Sequence, residues 1–257
     1  MHRAALLLCT LVSLDAGCAL AADPDALWKI VDGQCVPGQM RRDDPSPCTQ
    51  VDLRAGTAVL KDNAAHKPFE YLLIPTLRLS GIEEPALLEP GGTNYFAAAW
   101  AVRGLVSARV GRPLDDTEIG LAINARPARS QNQLHIHIGC LRADLRDTLR
   151  RQGGGIGTDW TPLAGTFAGH AYQVRRIAGP ELGEVDPFRL VAEGLPGARE
   201  AMGNETIVLT GAALPDGQAG FIVLEGRAEP GGFPPWLGGP GGGEELLDHG
   251  CAVARDG

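Results

Sequence analysis

The segment "SQNQLHIHIGC", residues 130–140, decides how the rest of the chain is read. Apolar and polar residues alternate through it with the period of a half-buried strand. Leu134, Ile136 and Ile138 therefore point to one side, and Gln133, His135 and His137 to the other. Two of the six histidines in a chain of 257 residues share one surface. Just upstream, "IGLAINA" (119–125) reads as a second strand, joined to the first by the polar, Arg-bearing loop "RPARSQN".

Working outward, "TAVLKD" (57–62) and "FEYLLIPTLRLSG" (69–81) are rich in Leu, Ile and Val and predict a hairpin around the turn "NAAHKP". Apolar residues at Tyr95, Ala98, Ala99, Val102, Leu105, Val106 and Val110 follow helical spacing. They predict one long helix, with Thr93 or Asn94 as its cap and Gly111 and Pro113 as its stop. The order strand, strand, helix, strand, strand predicts an α+β fold, an antiparallel sheet with a helix packed on one face. "LRADLRDTLRRQ" adds a short charged helix, and the Gly-rich "GGGIG" marks a boundary. Beyond it, "GHAYQVRRI" (169–177), a helix around "DPFRLVAEGLPGAREAMG" and the strands "ETIVLTG" and "GFIVLEG" repeat that order without the histidines. The expected organisation is a leader or anchor over 1–22, a catalytic half over 23–152, a degenerate second copy over 153–229 and a Gly/Pro-rich tail over 230–257. The tail is expected to gain order only where it is anchored near Cys251.

A formal charge of −8 argues against a nonspecific nucleic-acid binder, which needs a basic field to displace phosphate counterions. The start "MHRAALLLCTLVSLDAGCALAADP" has a basic end, an apolar run over residues 4–14 and small residues at Ala19 and Ala21 that fit a cleavage site. It reads as an export signal, with an uncleaved anchor as the alternative. Cys18 follows Ala16 and Gly17 as in a lipoprotein signal, but Asp15 stands where an aliphatic residue belongs. Export favours disulfides among the four remaining cysteines. Cys35 and Cys48 flank a loop rich in Pro and Asp and are expected to pair locally. Cys140 is then either bonded to Cys251, stapling the tail beside the histidine strand, or a buried thiol.

Two imidazoles at i and i+2 serve three chemistries. A metal site needs a third ligand, and the remaining candidates His66, His170 and His249 sit in a turn, at a strand start in the other half and in the tail. A structural pair needs only satisfied hydrogen bonds. Nucleophilic attack at phosphorus uses a neutral imidazole, which splits one displacement into two easier ones, beside donors that stabilise moving negative charge. The preceding loop offers Asn124, Ser130, Gln131 and Gln133, with Arg126 and Arg129 adding positive charge.

"YLLIPTLRLSGI", "GLAINARPARSQNQLHIHI" and the helix between them resemble the histidine-triad superfamily over residues 57–141. The resemblance places Gln133 at the first triad position, His135 at the nucleophile and His137 at the third, with Asn124 and Ser130 on the α-phosphate. A second register makes His137 the nucleophile and Gly139 the third member. "LWKIVDGQCVP", "PCTQVDL", "SGIEEPALLEPGGTNYFAAAW", "IGTDWTPL" and "MGNETIVL" extend the likeness to the bacterial CDP-diacylglycerol pyrophosphatase family.

That resemblance implies hydrolysis of CDP-diacylglycerol to CMP and phosphatidate at the periplasmic side of the inner membrane. His135 attacks the α-phosphorus, and His137, Asn124, Ser130, Gln131 and Gln133 surround the phosphoryl oxygens. Lys61 and Asp62 stand near the nucleoside or second phosphate, and no metal or other cofactor takes part. Tyr95 and Trp100 are expected in the core. An internal pseudo-pair would make a dimer unnecessary, so a monomer is compatible. The rivals are a histidine-triad hydrolase or transferase of soluble nucleotides, and an exported nucleotide- or metal-binding protein without catalysis.

Overall fold

The computed structural model describes residues 23–214, 217–228 and 241–254. The expected leader or anchor at 1–22, and residues 230–240 of the tail, lie outside them. In chain order the elements are α1 (Ala26–Ile30), a π-helical turn (Val31–Cys35), α2 (Val36–Arg42), β1 (Gln50–Asp52), β2 (Thr57–Lys61), β3 (Tyr71–Pro75), α3 (Tyr95–Ala101), α4 (Gly104–Val110), β4 (Ile119–Ile123) and β5 (Ile136–Leu141). There follow α5 (Ala143–Gln152), β6 (Thr161–Pro162), β7 (Gln173–Ala178), α6 (Pro187–Gly194), β8 (Glu205–Ala213), β9 (Ala219–Arg227) and β10 (Leu247–Asp248), with short 3-10 turns between.

These strands form one antiparallel sheet in the order β1-β2-β3-β5-β4-β8-β9-β7-β6. β4 and β8 meet at its centre, with Leu121 opposite Leu209. Outward from that pair the order β4-β5-β3-β2 on one side is answered by β8-β9-β7-β6 on the other. β10 pairs with the end of β5, continuing the line of β3.

One face of the sheet carries the main apolar core. Leu73, Leu121, Ile136, Ile138, Leu209 and Val223 pack there against Phe96 and Trp100 of α3, Val106 of α4 and Phe188 and Val191 of α6. Each such side chain taken from water contributes about 1.5–3 kcal/mol. Tyr95 and Trp100 are core residues, as the helical spacing predicts. The expected single helix is broken into α3 and α4: the N–H groups of Val102 and Arg103 bond to the third carbonyl back, tightening the turn before Gly104. Asn94 caps α3 by accepting from the N–H of Ala97 at 3.0 Å, and Gly111 ends α4 at φ 90°, where only glycine sits without strain.

The other face is covered too, which corrects the expectation of helices on one side alone. The α1 to α2 segment lies over β2 and β3, its Leu27, Val31 and Cys35 meeting Ala58, Leu60, Leu72 and Ile74. Pro37 and the glycines at 33 and 38 hide this helix in the sequence; the π turn absorbs the interruption. On the far side, α5 and the tail cover β4 to β9, with Leu145, Leu149, Leu246 and Leu247 against Ala122, Leu141, Val208 and Leu224. Between these two covers lies the start of β5, where the buried side chains on this face are polar. Both disulfides form, Cys35–Cys48 and Cys140–Cys251, the second holding the tail against β5.

Two carboxylates are buried on the helix face of the second half: Glu205 is 1% and Glu225 6% exposed, near each other on β8 and β9. Arg227 lies 3.6 Å from Glu205. Burial and the neighbouring Glu205 push the Glu225 carboxyl well above its ordinary value of 4.5, so the fold holds it as the acid. The folded state therefore binds a proton that the unfolded chain releases above 4.5, and stability falls as pH rises. Glu225→Gln should match the wild type in acid and exceed it above about pH 7. Urea-unfolding midpoints at both pH values check this, and equal midpoints at all pH values would show Glu225 ionised in the fold.

Candidate active site

The side of β5 that carries His135 and His137 lies between these two covers. Leu72 on β3 and Ala122 on β4 stand directly opposite His137, fixing its side chain to this face. The two rings meet edge to face with centroids 5.0 Å apart, and both side chains are nearly enclosed, the residues 8% and 4% exposed.

His135 has a defined tautomer. Its Nδ1 lies 2.7 Å from the carbonyl oxygen of Gln133, which can only accept, so Nδ1 carries the proton and Nε2 the lone pair. Burial, and secondarily His137, drives its pKa down to about 3, so the ring is neutral throughout the physiological range. Such a ring is poised as a nucleophile.

His137 sits between two carboxylates. Its Nδ1 is 3.6 Å from Oε2 of Glu70 and its Nε2 3.4 Å from Oε2 of Glu244, and among the described residues neither nitrogen has a hydrogen-bond partner. Glu70 enters from the residue before β3, opposite Gly139. A Cβ at position 139 would stand 2.9 Å from Cγ of Glu70. The third place of the row His135, His137, 139 is thus filled by a carboxylate from the neighbouring strand, which is why residue 139 has no side chain. Burial raises the Glu70 pKa, but the imidazoles of His137 and His249 outweigh it and bring the carboxyl down to about 2. Nδ1 of His249 contacts Oε1 of Glu70, and that bond raises the His249 pKa.

Lys67, from the turn between β2 and β3, contacts Glu244 and lies 3.7 Å from Asp62 and 3.9 Å from Glu70. Glu244 is held in place through its own backbone, whose N–H donates to Oδ1 of Asn124 at 3.0 Å. Thr206 secures the same stretch by donating to the carbonyl of Gly241 at 2.9 Å.

The residues singled out in the sequence divide by position. His135, His137, Asn124 and Asp62 converge. Gln133, wholly buried, donates to the carbonyls of Pro75 at 3.1 Å and Leu77 at 2.8 Å, tying the end of β3 to the carbonyl that orients His135. Gln131 spends its amide on the N-terminal helix, donating to Asp23 O at 2.9 Å and accepting from Leu27 N at 3.0 Å. Ser130 and Arg126 are exposed on the loop. Arg129 is paired with Glu83. Lys61 donates to the carbonyls of Asp62 and Lys67.

Lys67, Glu70 and Glu244 carry no signal in the sequence, and His249 stands there only as a metal-ligand candidate in the tail. The usable signal was the Cys140–Cys251 pairing, which brings His249 to the histidine strand. A cleft of about 700 Å³ between α5 and the β8–β9 hairpin lies at the opposite end of β5. Size alone does not locate the chemistry. Among the described residues no helix is long and apolar enough to cross a membrane.

Residues 22–255 match the CDP-diacylglycerol pyrophosphatase family. The chain is 43% identical over 255 residues to the CDP-diacylglycerol pyrophosphatase of Yersinia pestis, covering 98% of this chain and 95% of that protein.

The Glu70–His249 pair gives a pH signature. Glu70 is depressed from 4.5, so its contribution is present above 4.5 and lost as pH falls toward about 2. His249 is raised from 6.5, so its contribution is complete below 6.5 and lost as pH rises through the raised value. His249→Ala should therefore destabilise most at about pH 5.5 and clearly less at about pH 9, read as urea-unfolding midpoints against wild type. A difference independent of pH would mean that the pair is not ionised.

Proposed function

The chain belongs to the CDP-diacylglycerol pyrophosphatase family, and on that premise we propose that it hydrolyses CDP-diacylglycerol to CMP and phosphatidate through a CMP adduct on His135. The observation that carries the adduct is the Nδ1 bond of His135 to the Gln133 carbonyl, which leaves an unprotonated Nε2 on a neutral ring. In the first step the Nε2 lone pair forms a bond to the α-phosphorus. The bond from that phosphorus to the bridging oxygen breaks, and phosphatidate leaves with the electron pair. In the second step water attacks the same phosphorus, the N–P electrons return to Nε2, and the proton of water passes to the neighbouring base. His137, flanked by Glu70 and Glu244, stands where that base is needed.

Asn124, beside the nucleophile, and Ser130, on the exposed part of the loop after β4, are assigned the phosphate contacts. Gln131 joins them only by releasing the N-terminal helix, and Gln133 acts by fixing the carbonyl behind His135. Asp62 reaches the second phosphate through Lys67 rather than directly, while Lys61 braces the turn that carries both.

The mirrored strand order about β4 and β8 supports a degenerate second histidine-triad-like half, and with it an internal pair in one chain. Two disulfides together with the signal-like start support an exported enzyme working at the periplasmic face of the inner membrane, held there by its N-terminus.

The test is to trap the adduct. With CDP-diacylglycerol labelled in the α-phosphate and an alkaline quench, label should stay on the wild-type protein and on Gln133→Ala. It should vanish in His135→Ala, together with at least about a thousandfold of kcat. Label retained by His135→Ala would move the nucleophile to His137. Equal turnover of soluble nucleotides with none of the lipid would remove the substrate assignment.

A further inference from the structure

Three carboxylates and an imidazole converge beside the proposed nucleophile, and the ammonium group of Lys67 stands among them. It contacts Oε2 of Glu244 and lies 3.7 Å from Oδ2 of Asp62 and 3.9 Å from Oε2 of Glu70. The ligand atoms of Asp62, Glu70 and His137 all fall within 4.8 Å of one another. Carboxylate oxygens and an imidazole at that spacing form the donor set of a divalent-cation site. These donors are not consumed by one another: both ring nitrogens of His137 and Oε2 of Glu70 are buried without a hydrogen-bond partner among the described residues, on side chains 5% and 1% exposed. They face a positive charge, and the charge the chain itself supplies is Lys67, whose side chain is 10% exposed. Burial disfavours the charged amine, but Glu244, Glu70 and Asp62 outweigh it and raise its pKa.

We propose that Lys67 is a resident ammonium in a metal-type ligand cluster, standing in for a divalent cation to receive the pyrophosphate oxygens and the charge of the departing phosphate. This rests on the reading that the centre handles a nucleoside pyrophosphate. It answers a problem of sign, since three carboxylates repel such a substrate, and a cation held among them offsets part of that charge and aims N–H donors at the phosphoryl oxygens. An ammonium offers three donors and no fixed coordination geometry. It exchanges its Glu244 contact for a phosphoryl oxygen, and Glu244, 3.4 Å from Nε2 of His137, is left to that imidazole. Asp62 and Glu70 keep the amine protonated while it does so.

The experiment compares the full-length wild type with Lys67→Ala after EDTA treatment, with and without added Mn²⁺. Two readouts are used: Mn²⁺ binding by electron paramagnetic resonance, and CMP release from CDP-diacylglycerol in mixed micelles. The wild type should keep its rate in EDTA and leave Mn²⁺ free. Lys67→Ala should lose about a hundredfold or more in kcat, bind one Mn²⁺, and regain at least about tenfold when it does. Lys67→Gln provides the same comparison should the alanine variant not fold.

A wild type that takes up stoichiometric Mn²⁺ overturns the proposal, because the cluster is then a metal centre. So does a folded variant that keeps the wild-type rate, or one that binds no Mn²⁺. Mn²⁺ binding is read without substrate, so it decides this point even if the wild type leaves the lipid untouched, an outcome that would sink the substrate reading alone.

Discussion

A carboxylate buried on the sheet is the constraint around which the site is built. Glu70 is fully enclosed, and an unpaired charge in that position would cost several kcal/mol. Each neighbour meets part of that demand. Gly139 yields the volume, His249 donates to one oxygen, and Lys67 and His137 face the other. The return of the tail to β5 follows, because His249 and Glu244 come from it. Asn124, Thr206 and the Cys140–Cys251 bridge fix that return at separate points.

Much of the architecture was legible in local patterns. The strand pairs around 57–81 and 119–141, the cap and stop of the helical region and the Cys35–Cys48 pairing rest on short-range chemistry and appear in the fold; of the two readings of Cys140, the bond to Cys251 is the one that forms. What was hidden had a physical cause in each case. The break between α3 and α4 falls in a stretch whose apolar spacing runs through it undisturbed. The α1 to α2 helix carries a proline and glycines, and is stabilised by a π turn, burial on β2 and β3 and the Cys35–Cys48 bond. Its packing is tertiary, so propensity argues against it.

The candidate site divides in the same way. His135 and His137 announce themselves because the i, i+2 alternation is a property of one strand. Glu70, Lys67, Glu244 and His249 do not, because their meeting depends on the register of β3 and β10 along β5, which no window of sequence contains. Gly139 illustrates the gap. In the sequence it is an empty third place, and in the fold it is the space that a carboxylate from the neighbouring strand must have.

The two halves of the sheet show that strand order alone does not make a site. β9 occupies the place in its half that β5 occupies in the other, yet its side chains on the corresponding face, Ile222 and Leu224, are packed under Leu163, Phe167 and Tyr172. On β5 that face lies between two covers, and the interval is polar. A polar interval bounded by apolar packing gives the two imidazoles unlike surroundings. His135 is low because burial dominates, reinforced by His137 and Lys67 against the opposing pull of Glu244. His137, one turn of the pleat away, stands between carboxylates on both sides. In the proposed reaction the neutral ring attacks and the other exchanges protons, and the difference in their surroundings comes from which neighbours the tail and the β2–β3 turn bring to each.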